Sequence, residues 1–364
     1  MVAANPYSKL PRHAYWRTSV ERAAKSGGGL PGLWCPAFQI TTSDPVITTG
    51  SCFAQHISSA LVRSGFTWVE AERAPFGLSA AVARQFGYGV FSVRTGNIYT
   101  TRMLIQWLTY AIEPDSQDRE IWTADGAFFD PLRPQIEPDG FEGEGELFDA
   151  RRATFTALRK AVQTSSVFIF TIGLTELWEN TETGLVYSSC PGSLAGAFDP
   201  AVHAFRNLTY PEVMADLETI LALLRRLNPD IRLLLTVSPV PLAATAADAQ
   251  HVLTATTYSK SVLRAAAGAF CEMHDDVDYF PSYEIVTSPG LNRQMYEDDR
   301  RSVTPDGVAF VMQHFLHGLG IEGDQVVVPS GPSRRIKEAV ARAAEAHDVI
   351  CEEIVLDRYN EDRD

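Results

Sequence analysis

A glycine, a hydroxyl and a thiol stand in a row at Gly50-Ser51-Cys52. They separate the β-branched run Val46 to Thr49 from a stretch in which Phe53, Ile57, Ala60 and Leu61 recur at helical spacing up to Gly65. A strand, a glycine turn and a helix start leave a small nucleophile free at the strand end, where backbone N–H groups and the helix dipole can hold an oxyanion. Gly50 allows the tight turn, and Cys52 falls at about the helix N-terminus, where the dipole favours the thiolate. The same spacing also fits a small core cysteine preceded by a serine that caps the helix.

A nucleophile of this kind needs a base within about 3 Å, normally an imidazole. Of the eight histidines, His251 follows the strand end at Ser238-Pro239, on the face where the site is expected. The reading is His251 as base with Asp299 or Asp298 orienting it; the alternative is a loop histidine capping a helix that begins near Leu253. His56 lies one turn after Cys52 and points down the helix flank. Glu176 is read as a second acid or base, or as a carboxylate capping a helix after Gly173. Gly77 offers a backbone oxyanion donor or a plain turn. Lys260, in Tyr258-Ser259-Lys260-Ser261, could neutralise a carboxylate substrate or activate a hydroxyl, or be a solvated helix lysine, and Trp122, Trp178 and Tyr187 could stack on sugar rings or fill cores.

These residues need strands and helices to position them. Ser165 to Ile172 is almost continuously apolar or β-branched, as is Ile231 to Val237, which is the pattern of strands covered on both faces. Thr209-Tyr210-Pro211-Glu212 is a capping box opening a broad apolar stripe from Val213 to Leu227. Thr304 caps a last core helix with Pro305 at its first position. Strands alternating with helices predict an α/β sheet with helices on both faces. Ligands then collect outside the carboxyl ends of the strands, at the loops Gly50 to Cys52, Gly173 to Trp178, Ser238 to His251 and Asp298 to Thr304. A leader over 1–44, a body over 45–320 and a helix-prone charged extension over 321–364 complete the expected organisation.

The 364 residues carry a net charge of −14, which repels a phosphate backbone and argues against nucleic acid. No apolar run approaches the roughly 18 residues of a membrane span, and the leader lacks the apolar centre of a secretory signal. Five widely spaced cysteines with no C-x-x-C pair give no zinc or redox motif and point to the cytoplasm, with no cofactor and no metal expected. No glycine-rich phosphate loop is present, which leaves a nucleotide-binding reading without support.

Gly50-Ser51-Cys52-Phe53-Ala54 spells the signature of the GSCFA-domain family, which is similar to the SGNH (GDSL-like) hydrolases. The segments Gly96 to Thr100, Phe170 to Glu176, Thr236 to Val240 and Tyr258 to Ser261 resemble the same family, over roughly residues 40 to 315. The resemblance implies a three-layer α/β/α sandwich with a mostly parallel sheet in flavodoxin-like order. It also implies ester hydrolysis or acyl transfer through a covalent acyl intermediate, on an acylated carbohydrate or other small ester. Laid on the SGNH pattern, Gly50-Ser51-Cys52 puts Cys52 at the nucleophile place, with Ser51 second. Gly173, Thr175 and Glu176 fall where an asparagine-bearing oxyanion block is expected, and Asn97 joins the substrate and oxyanion set. Asp299-Arg300-Arg301-Ser302 carries serine where the pattern has histidine. That departure supports the alternative of an inactive binding module for a glycan or acyl-carrying partner. The oligomeric state is not readable from the chain.

Overall fold

The computed structural model describes residues 5–26, 29–291, 293–321 and Leu356. In chain order the strands are β1 (Val46–Gly50), β2 (Trp122–Ala124), β3 (Ala127–Phe129), β4 (Val167–Ile172), β5 (Glu176–Asn180), β6 (Val186–Tyr187), β7 (His203–Asn207), β8 (Arg232–Val237) and β9 (Val277–Phe280). The helices are α1 (Arg22–Ser26), α2 (Ala54–Arg63), α3 (Ala80–Gln85), α4 (Thr101–Ile112), α5 (Glu144–Thr164), α6 (Tyr210–Leu227), α7 (Val252–Met273), α8 (Ser282–Thr287) and α9 (Pro305–Gly318).

The apolar runs β1, β4, β8 and β9 form one all-parallel sheet in the order β1-β4-β8-β9. A single parallel bridge, Val46 to Trp68, adds a rudimentary edge outside β1, held by Val46 N to Thr67 O and Val69 N to Val46 O, both 2.9 Å. With that edge the order is the flavodoxin-like one. Every residue of β4 is buried, because helices cover both faces. Alternate residues diverge. Phe168, Phe170 and Ile172 join Leu104, Phe155, Leu217 and Leu263 in one core, while Val167 and Ile169 join Ile57, Leu61, Ile285 and Phe315 in the other. Helices α4 to α7 therefore lie on one face and α2, α8 and α9 on the other, which makes three layers.

Local chemistry ends the elements as their sequences predict. The Thr209 N–H donates to Glu212 Oε2 at 2.8 Å, and Thr304 Oγ1 accepts from the Gly307 N–H at 3.0 Å. Between β4 and α6, where the sequence reading expects a loop after Gly173, the chain instead builds an antiparallel sheet, β6-β5-β7, over the carboxyl end of β4. His203 begins β7. In the core on the α2, α8 and α9 face, Trp34 stacks on Phe315 at 5.6 Å, and its Nε1 donates to Asp278 Oδ2 at 3.1 Å. No helix among the described residues is long and apolar enough to cross a membrane.

Candidate active site

The opening turn is set by one close approach. At Gly50 φ is +131°, and a Cβ would lie 2.2 Å from Thr171 O, so only glycine lets β1 meet β4 here. The Ser51 N–H donates to that same Thr171 O at 2.9 Å, and the Ile98 N–H donates to Gly50 O at 2.8 Å. Helix α2 then starts at Ala54, with Phe53 at its cap and no side-chain cap bond. Ser51 therefore does not cap the helix, as one sequence reading had it. Its Oγ is buried and makes no hydrogen bond, and the neighbouring Thr171 Oγ1 shares that condition. Ser51 is 2% exposed and Cys52 5%. His56 packs edge-on against Phe53 at 5.3 Å.

Gly173 closes the turn from the β4 side. A Cβ there would stand 3.1 Å from Ser51 Cβ, from Tyr99 Cδ1 and from Tyr99 O, which puts the serine and the tyrosine on one small patch. The Gly173 and Leu174 N–H groups both donate to Tyr99 O, at 2.8 and 3.1 Å, so Gly173 serves as close-packing backbone rather than as an oxyanion donor. Gly173 O accepts from the fully buried Lys260 Nζ at 2.6 Å. The lysine's ammonium thus sits at the carboxyl end of β4, beside the opening turn. Asn97, wholly buried, directly precedes Ile98; its Oδ1 accepts from Gln55 Nε2 at 3.2 Å.

The remaining predicted residues separate into two groups. Thr175 is buried and its hydroxyl donates to Asn207 Oδ1 at 2.6 Å, at the start of the β5–β7 pairing. Glu176 begins a strand, not the helix one reading had it cap; its Oε1 accepts from Thr245 Oγ1 at 2.7 Å. That bond joins the loops after β4 and β8. Asp299 and Ser302 lie on the surface, where Ser302 Oγ donates to Asp299 Oδ2 at 2.6 Å. Burial pushes the Asp299 carboxyl up, but the Ser302 hydroxyl and the N–H groups of Arg301 and Ser302 outweigh it and hold it below the usual aspartate value. Asp298 is exposed as well. Through Arg301 Nε, which donates to Pro241 O at 3.2 Å, this loop touches the one after β8. Gly77 sits in an exposed turn at φ +95° with nothing within 4 Å of its Cβ position.

His251 is the exposed N-cap of α7, and its Nδ1 accepts from the Leu253 N–H at 3.1 Å. A neutral imidazole that accepts at Nδ1 carries its proton on Nε2, so in this arrangement the ring has no lone pair left to act as base. Along α7 it also stands about 13 Å of helical rise from Lys260. The capping alternative describes its position.

Beside the opening turn lies a cavity of about 630 Å³. Tyr99 and Leu174, the neighbours of Gly173, form its near wall; Trp178 and Phe205 of the β6-β5-β7 sheet form its roof. Glu176 and Thr245 line it together. Tyr187 contributes a side chain whose hydroxyl donates to Glu120 Oε2 at 2.8 Å, and burial followed by Glu120 pushes that hydroxyl's pKa upward, keeping it neutral. Trp122 lies outside the lining and packs on Tyr187 at 5.4 Å. Sequence reasoning missed Ser188, Ser189 and Cys190, which also face this space. Burial pushes the Cys190 thiol up to about 11. Their signal is the small-residue run Ser188 to Gly196 between two aromatic strands. Among the described residues no His, Cys, Asp and Glu cluster could hold a metal ion.

No curated protein matches the sequence. Among solved structures the chain is similar to a carbohydrate esterase family 3 from Talaromyces cellulolyticus, at 13% identity and a TM-score of 0.28, over 77% of this chain and 100% of that one. It is also similar to an acetyl esterase mutant holding an acetate ion, at 12% identity and a TM-score of 0.28, over 76% and 98% of the two chains. A protein from Streptococcus pneumonia named for platelet activating factor aligns at 16% identity and a TM-score of 0.25 over 48% of this chain; the chain spans 65% of that protein's length. The pattern of the GSCFA family matches residues 45–315, the whole of the sheet and both helical layers, and the chain belongs to the GSCFA family.

Proposed function

We propose that the protein is an SGNH-like ester hydrolase or O-acyltransferase that forms an acyl intermediate on the Gly50-Ser51-Cys52 turn. The observation that carries this reading is the meeting of that turn with Gly173, beside a cavity and beneath a buried ammonium. Cys52 is the nucleophile by register with the SGNH pattern, and Ser51 is the second choice, with a buried Oγ that has no hydrogen-bond partner. The nucleophile adds to the ester carbonyl, the carbonyl–oxygen bond to the alcohol breaks, and the alcohol leaves with a proton. Water or a sugar hydroxyl then attacks the acyl carbon and restores the nucleophile.

In this reading Lys260 adds positive potential where the oxyanion develops, and Asn97, next to the Ile98 that bonds Gly50 O, is assigned as the amide donor. Glu176 is the candidate acid–base group on the cavity wall, and its role is to accept the proton of the incoming water. Asp299 and Ser302 shape the neighbouring loop.

The test is turnover of p-nitrophenyl acetate and butyrate with peptide mapping of the trapped adduct. Acyl label is expected on the peptide spanning Val46 to Ser58. Cys52→Ala should lower kcat/KM by at least about 10³-fold. A second reading, a non-catalytic binding module, is favoured by Ser302, which completes a hydrogen bond to Asp299 where an imidazole is expected. No turnover, and no adduct even with a fluorophosphonate or iodoacetamide, would leave only that reading.

A further inference from the structure

The cavity is far larger than a two-carbon acyl group requires. Its volume of about 630 Å³ lies in the range of sites that enclose whole drug-sized ligands. Its surface is mostly apolar: Met103 and Leu174 come from the α4 and β4 side, Leu177 and Phe205 from the roof, and Leu242 from the loop after β8. An aliphatic side chain from the far end of the same chain, Leu356, already forms part of the lining. The near wall, Tyr99 and Leu174, flanks Gly173, and the Gly173 Cβ position touches Ser51 Cβ and Tyr99 Cδ1 equally at 3.1 Å. Tyr99 and Leu174 thus connect the cavity wall to the packing around Gly173, while Ser51 and Cys52 stay buried behind it and do not line the cavity.

Resting on the hydrolase reading, we infer that this cavity is the acyl site, and that the substrate's acyl group is an aliphatic chain of medium length rather than acetyl. Removing each methylene from water against such a wall raises affinity about fourfold. A chain running from the turn over Gly173 and Leu174 enters between Met103 and Leu177 with no charged side chain to displace except the Glu176 carboxylate, which is held to one side by Thr245.

The experiment has two arms on the full chain. In the first, kcat/KM is measured for p-nitrophenyl esters from acetyl to octanoyl; in the second, binding of 1-butanol, 1-hexanol and 1-octanol is measured by calorimetry, with no chemistry involved. Both are expected to rise about fourfold per methylene. Ala197→Phe and Ala246→Phe, at exposed positions of the lining, should lower the octanoyl-to-acetyl ratio by at least about tenfold and weaken octanol binding in proportion, while the circular dichroism spectrum stays native. Turnover with a flat chain-length profile and no octanol binding overturns the acyl site and leaves the hydrolase reading intact. Octanol binding with the expected slope but no turnover of any ester overturns the hydrolase reading and leaves an aliphatic-chain site.

Discussion

Gly50 and Lys260 fix the turn from opposite sides, and each supports a prediction. A methyl at Gly50 meets the Thr171 carbonyl and also demands a backbone conformation that side chains avoid. Gly50→Ala should cost at least about 2 kcal/mol, read as a lower urea midpoint, and should abolish any esterase activity with it. Lys260→Met keeps the length of the side chain and leaves Gly173 O without its donor. A loss of about 1 to 3 kcal/mol is expected, together with a fall in kcat larger than the rise in KM, since the ammonium acts on charge that develops during the reaction. Ser51→Ala is expected to behave in the opposite way on stability. Because the Oγ is buried without a partner, its removal should leave the urea midpoint unchanged or raise it by up to about 1 kcal/mol. A midpoint that falls by more than this would mean the hydroxyl has a structural partner.

At the scale of elements, the fold is stapled by a buried ion cluster that joins the β2–β3 hairpin to α5. Asp130 accepts from Arg133 Nε at 3.0 Å and from Arg151 Nη2 at 2.7 Å, and none of the three side chains is more than 1% exposed. Burial alone pushes the Asp130 carboxyl up, but Arg151 and then Arg133 outweigh it and hold it below the usual aspartate value. The folded pKa is depressed, so the stabilisation is complete above the unfolded value of about 4 and is lost as pH falls through the folded one. Wild type should therefore lose stability in acid below about pH 4. Asp130→Asn should be about 3 to 5 kcal/mol less stable at pH 7 and should lack that part of the acid dependence, as followed by urea unfolding across pH. The hairpin itself reads from its sequence. Asp125 and Gly126 both take positive φ, at 50° and 85°, the pairing that a two-residue Asp-Gly turn requires.

For the whole molecule, the net charge of −14 sets a long-range field that opposes anionic substrates. At low ionic strength a neutral butyryl ester should be turned over faster than a succinyl ester of similar size. The gap should narrow as salt rises to about 0.5 M and the field is screened. A gap that does not respond to salt would place the discrimination in the cavity, at Glu176, rather than in the overall charge. The mostly apolar cavity and the acidic exterior act together, since both favour uncharged aliphatic esters.

The sequence by itself determined the sheet and the opening turn. Continuous apolar runs at β4 and β8, the capping box at Thr209 and the glycine after β1 are patterns visible within a few residues, although the approach of Thr171 O that demands glycine at position 50 comes from across the sheet. The two helical layers belong to the same expectation, while β9, the fourth parallel strand, takes its place by pairing with β8. Tertiary structure alone decided the site. The β6-β5-β7 sheet pairs Glu176 with Asn207 across a long connection, and no local periodicity announces such a pairing. Which face of α7 is buried, and hence that Lys260 reaches Gly173 while His251 stays at the helix cap, is fixed by packing against α6, β8 and β9, not by the helix's own residues. A side chain's chemistry is set by its neighbours, and those neighbours are chosen when the layers close.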